Sequence, residues 1–191
     1  VEIGGLGILD LDVGGFDLVP QFFFKHETAL VVGPGDEGID SFLGWGAKVG
    51  KTMTIPQTMR AAVLYGEGDL RLVEDYPVPQ PGPGEVLIRV AACAICGTDP
   101  KILAHGWPNH PPYGQFIFGH EYAGTVVALG EGVTEFAVGD RVAVEPHKGC
   151  GVCANCRDGY YTTCLNYGRP EKGHRHYGFS TNGGYAEYAC N

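Results

Sequence analysis

The sequence lacks any run of apolar residues close to the ~18 that a membrane-spanning helix requires. It also lacks the basic opening segment of a secretory signal peptide, since an acidic residue, Glu2, stands there. Positive charge is scarce as well: 13 lysines and arginines stand against 22 acidic residues, for a net charge of −9. Because phosphate binding needs clustered lysine and arginine, we expect no nucleic-acid partner. We also expect no membrane partner and a cytoplasmic protein.

Methionine is nearly absent, with Met53 and Met59 as the two examples. The 52 residues before Met53 are glycine-rich and acidic, with 11 of the 31 glycines and a net charge of −5. Residues 33–38 fit the letters G-x-G-x-x-G of a phosphate loop, but Pro34 stiffens the turn and no helical periodicity follows, which favours an ordinary glycine-rich loop. We treat residues 1–52 as a segment of uncertain structure and residues 53–191 as the domain. The chain either includes upstream codons that are not normally translated or is a fragment.

From Met59 onward, short apolar stretches alternate with glycine and proline turns, as is typical of antiparallel β proteins. The predicted strands are residues 60–64, 70–75, 85–92, 121–129, 141–145 and 185–190. Because closing a sheet on itself removes exposed strand edges, this pattern predicts a β-barrel. One short helix is predicted at about residues 100–104, with Asp99 as N-cap and Pro100 at the first helical position. The expected fold class is mainly β with one short helix.

Cysteine, by contrast, is abundant. Four of the seven lie within fifteen residues, at Cys150, Cys153, Cys156 and Cys164. Without a secretion signal, metal ligation is favoured over disulfides, and two-residue gaps let neighbouring thiolates share one tetrahedral zinc ion. An iron–sulfur cluster and unligated thiols are the alternatives, although the bacterial ferredoxin spacing places the fourth cysteine three residues on and before a proline, unlike Cys164. We interpret the cluster as a closed, structural zinc site.

A second group of possible ligands lies upstream. Cys96, His120 and Glu121 offer a thiolate, an imidazole and a carboxylate, which are the ligand types of a catalytic zinc that keeps one position open. Cys96 and His120 are twenty-four positions apart, however, and a cysteine at a strand end or a histidine after glycine is more often an ordinary core or turn residue. Spacing alone leaves both interpretations open.

The order of several motifs adds further information. Cys96-Gly97-Thr98-Asp99 is followed by the Gly119-to-Val126 stretch GHEYAGTV, by VGDRV at residues 138–142, and by the four-cysteine segment. In these motifs the stretch from about Met59 to Cys190 resembles the GroES-like catalytic domain of zinc-dependent medium-chain alcohol dehydrogenases, above all the polyol and threonine dehydrogenases. The first 52 residues lie outside the resemblance.

The resemblance implies residue roles. Cys96 and His120 would be catalytic zinc ligands, with Glu121 as an additional or exchangeable ligand. Thr98 would pass on the proton of the substrate hydroxyl, and Asp99 would hold the ring nitrogen of His120 opposite the metal. Thr98 and Asp99 are also good helix-capping residues, and both interpretations can hold together.

The resemblance also implies a GroES-like β-barrel with a short helix and a four-cysteine zinc lobe, in which a secondary alcohol or polyol is oxidised to a ketone by zinc-alkoxide formation and hydride transfer. NAD or NADP would be bound mainly by a C-terminal Rossmann domain that is absent from this chain, together with a further zinc ligand. We therefore expect a truncated chain that is inactive alone, and a homo-oligomeric full-length enzyme, dimer or tetramer. The alternative function is a non-enzymatic, zinc-braced barrel that acts as an interaction module.

Several polar residues lack a clear role in this scheme. Lys101 stands where many members of the family have a histidine in the proton path, and His105, four residues on, is a possible substitute. The His-Arg-His triplet at 174–176 is either pocket lining or a polar turn, and the turn is the favoured interpretation. Asn166, with Tyr113 and His176, is expected among residues suited to a polyhydroxylated substrate, whereas Cys93 and Cys190 are expected to fill apolar positions in strands.

Overall fold

The computed structural model describes residues 54–191, so the expectations for residues 1–52 lie outside the described residues. Its strands are β1 (Thr58–Gly66), β2 (Asp69–Pro77), β3 (Val86–Ala94), β4 (Glu121–Leu129), β5 (Arg141–Ala143), β6 (His147–Lys148), β7 (Arg175–His176) and β8 (Tyr188–Cys190). The helices are α1 (Asp99–His105) and α2 (Ala154–Arg157), with 3₁₀ turns at Tyr161–Thr163 and Pro170–Lys172. Within the described range, no helix has the length and apolar character that crossing a membrane requires.

The strands form three antiparallel sheets: a β1–β2 hairpin, a four-stranded sheet in the order β5-β4-β3-β8, and the short β6–β7 pair. Backbone hydrogen bonds connect the hairpin to the rest of the fold. The N–H of Ala62 donates to the carbonyl oxygen of Tyr185 at 2.8 Å, and that of Leu64 to the carbonyl oxygen of Phe116 at 2.8 Å. The main chain of β1 is therefore continued by segments from the second half of the domain, and the expectation of a mainly β fold is confirmed.

The core lies between the hairpin, the four-stranded sheet and α1. Met59, Ala61 and Val63 are buried and alternate with exposed Arg60 and partly buried Ala62 along β1, as expected for a strand with one buried face. They belong to the same cluster as Phe116 and as Ile102 of α1, both of which are completely buried. Burial of a large apolar side chain contributes about 1.5–3 kcal/mol. Ile102 thereby fixes α1 against this core and, with it, the turn that precedes the helix.

The main differences from prediction lie at element ends. Thr98 is the N-cap of α1 and makes no side-chain capping bond, so the prediction of Asp99 as N-cap is wrong. The Asp99 carboxylate instead accepts a hydrogen bond from the backbone N–H of Cys96, at 2.6 Å. β8 starts at Tyr188 because the backbone of residues 185–187 bonds with β1 before the chain joins β3. β6 and β7 have two residues each, too few to produce a periodic pattern.

Gly124 provides a test of the packing of β3 against β4. A Cβ at this position would lie 2.2 Å from the carbonyl oxygen of Arg89 and 2.7 Å from Cγ2 of Ile88. We expect Gly124→Ala to lower the free energy of unfolding by about 1–3 kcal/mol, because the backbone of β3 must shift to relieve the overlap. In the control Gly66→Ala, the nearest contact would be 3.9 Å from Asp69, and the change should stay within about 1 kcal/mol. Urea denaturation measures both, and equal losses would contradict the prediction.

Candidate functional site

Four cysteine thiols converge in the segment after β6, which we call the cysteine lobe: Cys150, Cys153, Cys156 and Cys164. α2 carries the third of these, and the 3₁₀ turn at Tyr161–Thr163 directly precedes the fourth. The sulfur atoms of Cys150 and Cys156 are 4.0 Å apart. Those of Cys153 and Cys164 are 3.9 Å apart, and all four sulfurs lie within 4.8 Å of one another. None of the four forms a disulfide.

These separations match the requirements of a single tetrahedral ion. Four thiolates at a Zn–S distance of ~2.3 Å around one zinc lie about 3.8 Å from one another. A disulfide would need sulfur atoms about 2 Å apart. The four thiolates of an iron–sulfur cluster are distributed over two or more iron atoms, so they do not all lie this close to one another. The cysteine lobe therefore has the geometry of a closed structural zinc site.

Hydrogen-bond donors surround the sulfurs of the lobe. The side-chain amide of Asn166 donates to Cys150 Sγ at 3.2 Å, and the backbone N–H groups of Cys150 and Asn166 both lie 3.4 Å from Cys164 Sγ. The Asn166 amide lowers the pKa of Cys150 to about 6, while desolvation raises the pKa of Cys156 to about 12. A bound divalent cation would favour the thiolate form at every position. Asn166, one of the polar residues expected to suit a polyhydroxylated substrate, directs its amide at the cysteine lobe.

The second group of possible ligands meets at the end of β3. Ala94, the last residue of β3, pairs with Glu121, the first residue of β4. Cys96 lies two residues beyond this pair and His120 directly before it, so the antiparallel register brings all three side chains together. A ligand atom from each of Cys96, His120 and Glu121 lies within 4.8 Å of the other two. We call this trio the ligand cluster. The fold thus brings together three residues whose spacing in the sequence did not show whether they are neighbours.

Asp99 lies beside the ligand cluster and is 4% exposed. Its Oδ2 accepts hydrogen bonds from the Cys96 N–H and, at 2.8 Å, from the hydroxyl of Tyr185. Its Oδ1 faces Nδ1 of His120 at 3.5 Å, and neither of these two buried atoms has a hydrogen-bond partner among residues 54–191. Burial lowers the pKa of His120, but the nearby carboxylate of Asp99 and thiol of Cys96 outweigh it, so the pKa lies above the usual imidazole value.

Thr98 also stands close to the ligand cluster. Its Oγ1 lies 3.6 Å from Cys96 Sγ, within the turn between β3 and α1. Lys101 and His105 are both exposed on α1. The hydroxyl of Thr98 is therefore the nearest proton-exchanging group to the thiol among these three residues of the predicted proton path.

One side of the ligand cluster is an aromatic wall. The ring of His120 packs against Phe179 at a centroid distance of 4.4 Å, and Phe179 packs edge-on against Trp107 at 4.8 Å. His176 stacks between Phe179, at 3.8 Å, and His147, at 4.0 Å. Local sequence gave no sign of this arrangement, because its members come from four separate segments.

The expectation of a polar turn at residues 174–176 is wrong. His174 is completely buried, His176 is 4% exposed, and β7 contains the second of them. The backbone N–H of Gly168 donates to Nδ1 of His174, and Tyr167 is hydrogen-bonded to Nδ1 of His176. Burial and the neighbouring imidazoles lower the pKa of His176 to about 3, so the ring is neutral at physiological pH. The two histidines are two residues apart, a spacing that places both on one face of a strand, and this was the signal in the sequence that could have indicated their burial.

Comparison with known proteins identifies the family. Residues 82–191 match the alcohol dehydrogenase GroES-like domain. The chain belongs to this family. Curated relatives of this GroES-like domain include sorbitol dehydrogenase of Bacillus subtilis, 45% identical over 114 residues that cover 59% of this chain and 32% of that protein. They also include L-threonine 3-dehydrogenase of Pyrococcus abyssi, 47% identical over 132 residues that cover 69% of this chain and 35% of that protein.

Solved structures agree with the assignment to the GroES-like family. A thermostable alcohol dehydrogenase from Pyrobaculum aerophilum has a TM-score of 0.60 and 39% identity, with 70% of this chain and 38% of that chain covered. A zinc-binding dehydrogenase from Sinorhizobium meliloti bound to NADP has a TM-score of 0.60 and 35% identity, with 71% of this chain and 36% of that chain covered. The chain thus spans about a third of the length of the relatives it matches. The predicted family and GroES-like fold class are confirmed.

Cys150→Ser tests the cysteine lobe of this GroES-like domain. We expect the purified chain to lose one tightly held zinc equivalent and to unfold at a lower temperature, because binding energy at a structural site is also folding energy. The matched control is Cys190→Ser, in β8, which should keep the zinc content of the unaltered chain. Elemental analysis and thermal unfolding are the measurements. A Cys150→Ser chain with unchanged zinc and stability would show that the lobe is not a metal site.

The low pKa of His176 predicts that the metal-free chain loses stability in acid. Its folded pKa of about 3 lies below the usual value of 6.5, so the unfolded state takes up a proton that the folded state does not. The stability it contributes is present above the usual pKa and is lost as the pH falls toward the folded value. His176→Phe, which keeps an aromatic ring in the stack, should flatten this fall in unfolding free energy.

Urea denaturation at a series of pH values, with chelator present, measures the effect. The control His105→Gln changes an exposed residue at the end of α1 and should retain the pH dependence of the unaltered chain. The same slope in the His176→Phe variant as in the unaltered chain would refute the proposed origin of the acid sensitivity.

Proposed function

We propose that this chain is the catalytic-domain portion of a zinc-dependent NAD(P) oxidoreductase that oxidises a secondary alcohol or polyol to a ketone. The observation that carries the proposal is the ligand cluster, in which ligand atoms of Cys96, His120 and Glu121 lie within 4.8 Å of one another beside the buried Asp99. A non-enzymatic interaction module has no need for this trio. We take the domain to begin near residue 53.

The ligand cluster fits a catalytic zinc ion. Cys96, His120 and Glu121 supply one sulfur, one nitrogen and one oxygen ligand, and three protein ligands leave a coordination position open. The buried Nδ1 of His120 faces Asp99, which leaves the other ring nitrogen to bind metal. Bound zinc supplies Lewis acidity, which makes an alcohol hydroxyl easier to deprotonate. Cys150, Cys153, Cys156 and Cys164 would hold a second, structural zinc.

The side chains around the ligand cluster have separable tasks. Asp99 is a positioning residue, since its free oxygen faces Nδ1 of His120 at 3.5 Å, where it would accept the Nδ1 proton and so fix the imidazole tautomer when metal is bound. Thr98 is the candidate catalytic residue, with a hydroxyl close enough to the cluster to take up the proton of the substrate hydroxyl and pass it to solvent. Phe179 and Trp107 form an apolar side of the site that limits the access of water.

The nature of the relatives supports the choice of reaction. They are named as dehydrogenases of sorbitol, L-threonine and D-altritol, and one related structure holds NADP. We propose that NAD or NADP accepts the hydride and is bound mainly by a Rossmann domain outside residues 54–191, so that this chain alone is inactive or nearly so. We also propose a small-molecule alcohol or polyol substrate, a homo-oligomeric full-length enzyme and a cytoplasmic location.

Metal titration tests the ligand cluster separately from the cysteine lobe. With the lobe filled by zinc, Co²⁺ should bind the unaltered chain at a second, weaker site and give thiolate-to-cobalt absorption. Cys96→Ala should weaken this second site at least about tenfold, because one of three ligands is lost, and should leave the lobe zinc in place.

Cys93→Ala is the matched control. Cys93 lies in β3, three residues before Cys96, and is not part of the ligand cluster. It should retain the Co²⁺ affinity of the unaltered chain. Identical titrations for Cys96→Ala and Cys93→Ala would refute the proposed catalytic metal site.

A further inference from the structure

Tyr185 occupies a buried position behind the ligand cluster. It is 6% exposed, and its hydroxyl donates to Asp99 Oδ2 at 2.8 Å. Its ring lies edge-on to Phe118 at 5.0 Å. On its other side is Gly119, whose φ is +88° and where an added Cβ would lie 2.5 Å from Cδ1 of Tyr185. The glycine before His120 thus leaves room for the tyrosine to reach the carboxylate.

The two oxygens of Asp99 have different environments. Oδ2 accepts two hydrogen bonds, from the Cys96 N–H at 2.6 Å and from the Tyr185 hydroxyl at 2.8 Å. Oδ1 faces His120 Nδ1 at 3.5 Å and has no hydrogen-bond partner in the described part of the chain. Two donors on one oxygen restrict rotation of the carboxylate, which would otherwise exchange the two oxygens. The free oxygen is therefore kept toward the imidazole.

We propose that Tyr185 is a positioning residue for the ligand cluster: its hydroxyl, with the Cys96 N–H, orients Asp99 so that Oδ1 accepts the Nδ1 proton of His120. The remaining ring nitrogen then carries the lone pair that binds the metal. This inference rests on the proposed function, because it assigns a task at the same cluster. It extends the support of the site to a residue 65 positions after His120 in the chain, on the segment that leads into β8.

Tyr185→Phe isolates the hydroxyl, because the phenylalanine ring fills the same space beside Gly119 and Phe118. Loss of a group that supports a ligand typically reduces metal affinity 10–100-fold. Since Tyr185 acts through Asp99, we expect the lower end, roughly a tenfold weaker Co²⁺ affinity at the ligand cluster. The lobe zinc should be unchanged. The control Tyr177→Phe removes another buried hydroxyl and should alter the Co²⁺ affinity less than about twofold.

A double-mutant cycle separates positioning from general packing. In an Asp99→Asn chain, which already has weakened binding, the added Tyr185→Phe change should cause no further loss of Co²⁺ affinity, because the two residues act through one contact. Equal losses with and without the Asp99 carboxylate would overturn the proposal. Unchanged affinity in the single Tyr185→Phe variant would overturn it as well, and in either case the proposed metal site would stand.

Imidazole NMR of the 191-residue chain gives a second, metal-independent readout. Long-range ¹H–¹⁵N spectra of the neutral ring should show His120 protonated at Nδ1, with a smaller fraction of this tautomer in Tyr185→Phe. A chain that binds no Co²⁺ at the ligand cluster would refute the proposed function, and the NMR result would still decide the role of Tyr185. An Nε2-protonated His120 in the unaltered chain, or equal tautomer fractions in the two chains, would refute that role.

Discussion

The antiparallel pairing of β3 with β4 is the constraint on which the candidate active site depends. Ala94 opposes Glu121, so the end of one strand and the beginning of the other meet at the same edge of the sheet. Cys96 and His120, which extend past this pair, are thereby placed beside each other despite their separation in sequence. Gly124 lets the two strands approach closely, and Ile102 fixes the helix that follows Cys96. A shift of the register by one residue would direct these side chains to opposite faces of the sheet.

The two candidate metal sites differ in how the chain builds them. The cysteine lobe is local: four thiols come from fifteen consecutive residues, and short turns bring the sulfurs to the spacing of one tetrahedral ion. The ligand cluster is assembled from two strand ends, and its support comes from Asp99 and Tyr185 in two further segments. The closed, sulfur-rich site suits a structural ion, whereas the mixed site with three ligands suits an ion that exchanges a substrate.

Sequence reasoning succeeded where the information was local or was carried by ordered motifs. The strands from Thr58 to Leu129, the short helix and the thiol spacing belong to this group. It failed for buried polar residues. A polar turn was favoured for His174 and His176, yet aromatic packing and hydrogen bonds to their ring nitrogens place both histidines inside the domain. Asn166 was grouped with the polar residues suited to a polyhydroxylated substrate, whereas its amide donates to a cysteine sulfur.

What the sequence by itself determined is the fold class, the family and the identity of the candidate ligands, because alternating strands, glycine turns and closely spaced cysteines are local patterns. Only the tertiary structure decided which distant groups meet. The hydrogen bond from Tyr185 to Asp99, the facing pair of Asp99 and His120, and the aromatic wall formed by Phe179 and Trp107 all join segments far apart in the chain. Their contacts follow from strand register and core packing, which depend on the whole domain and which no short stretch of residues encodes.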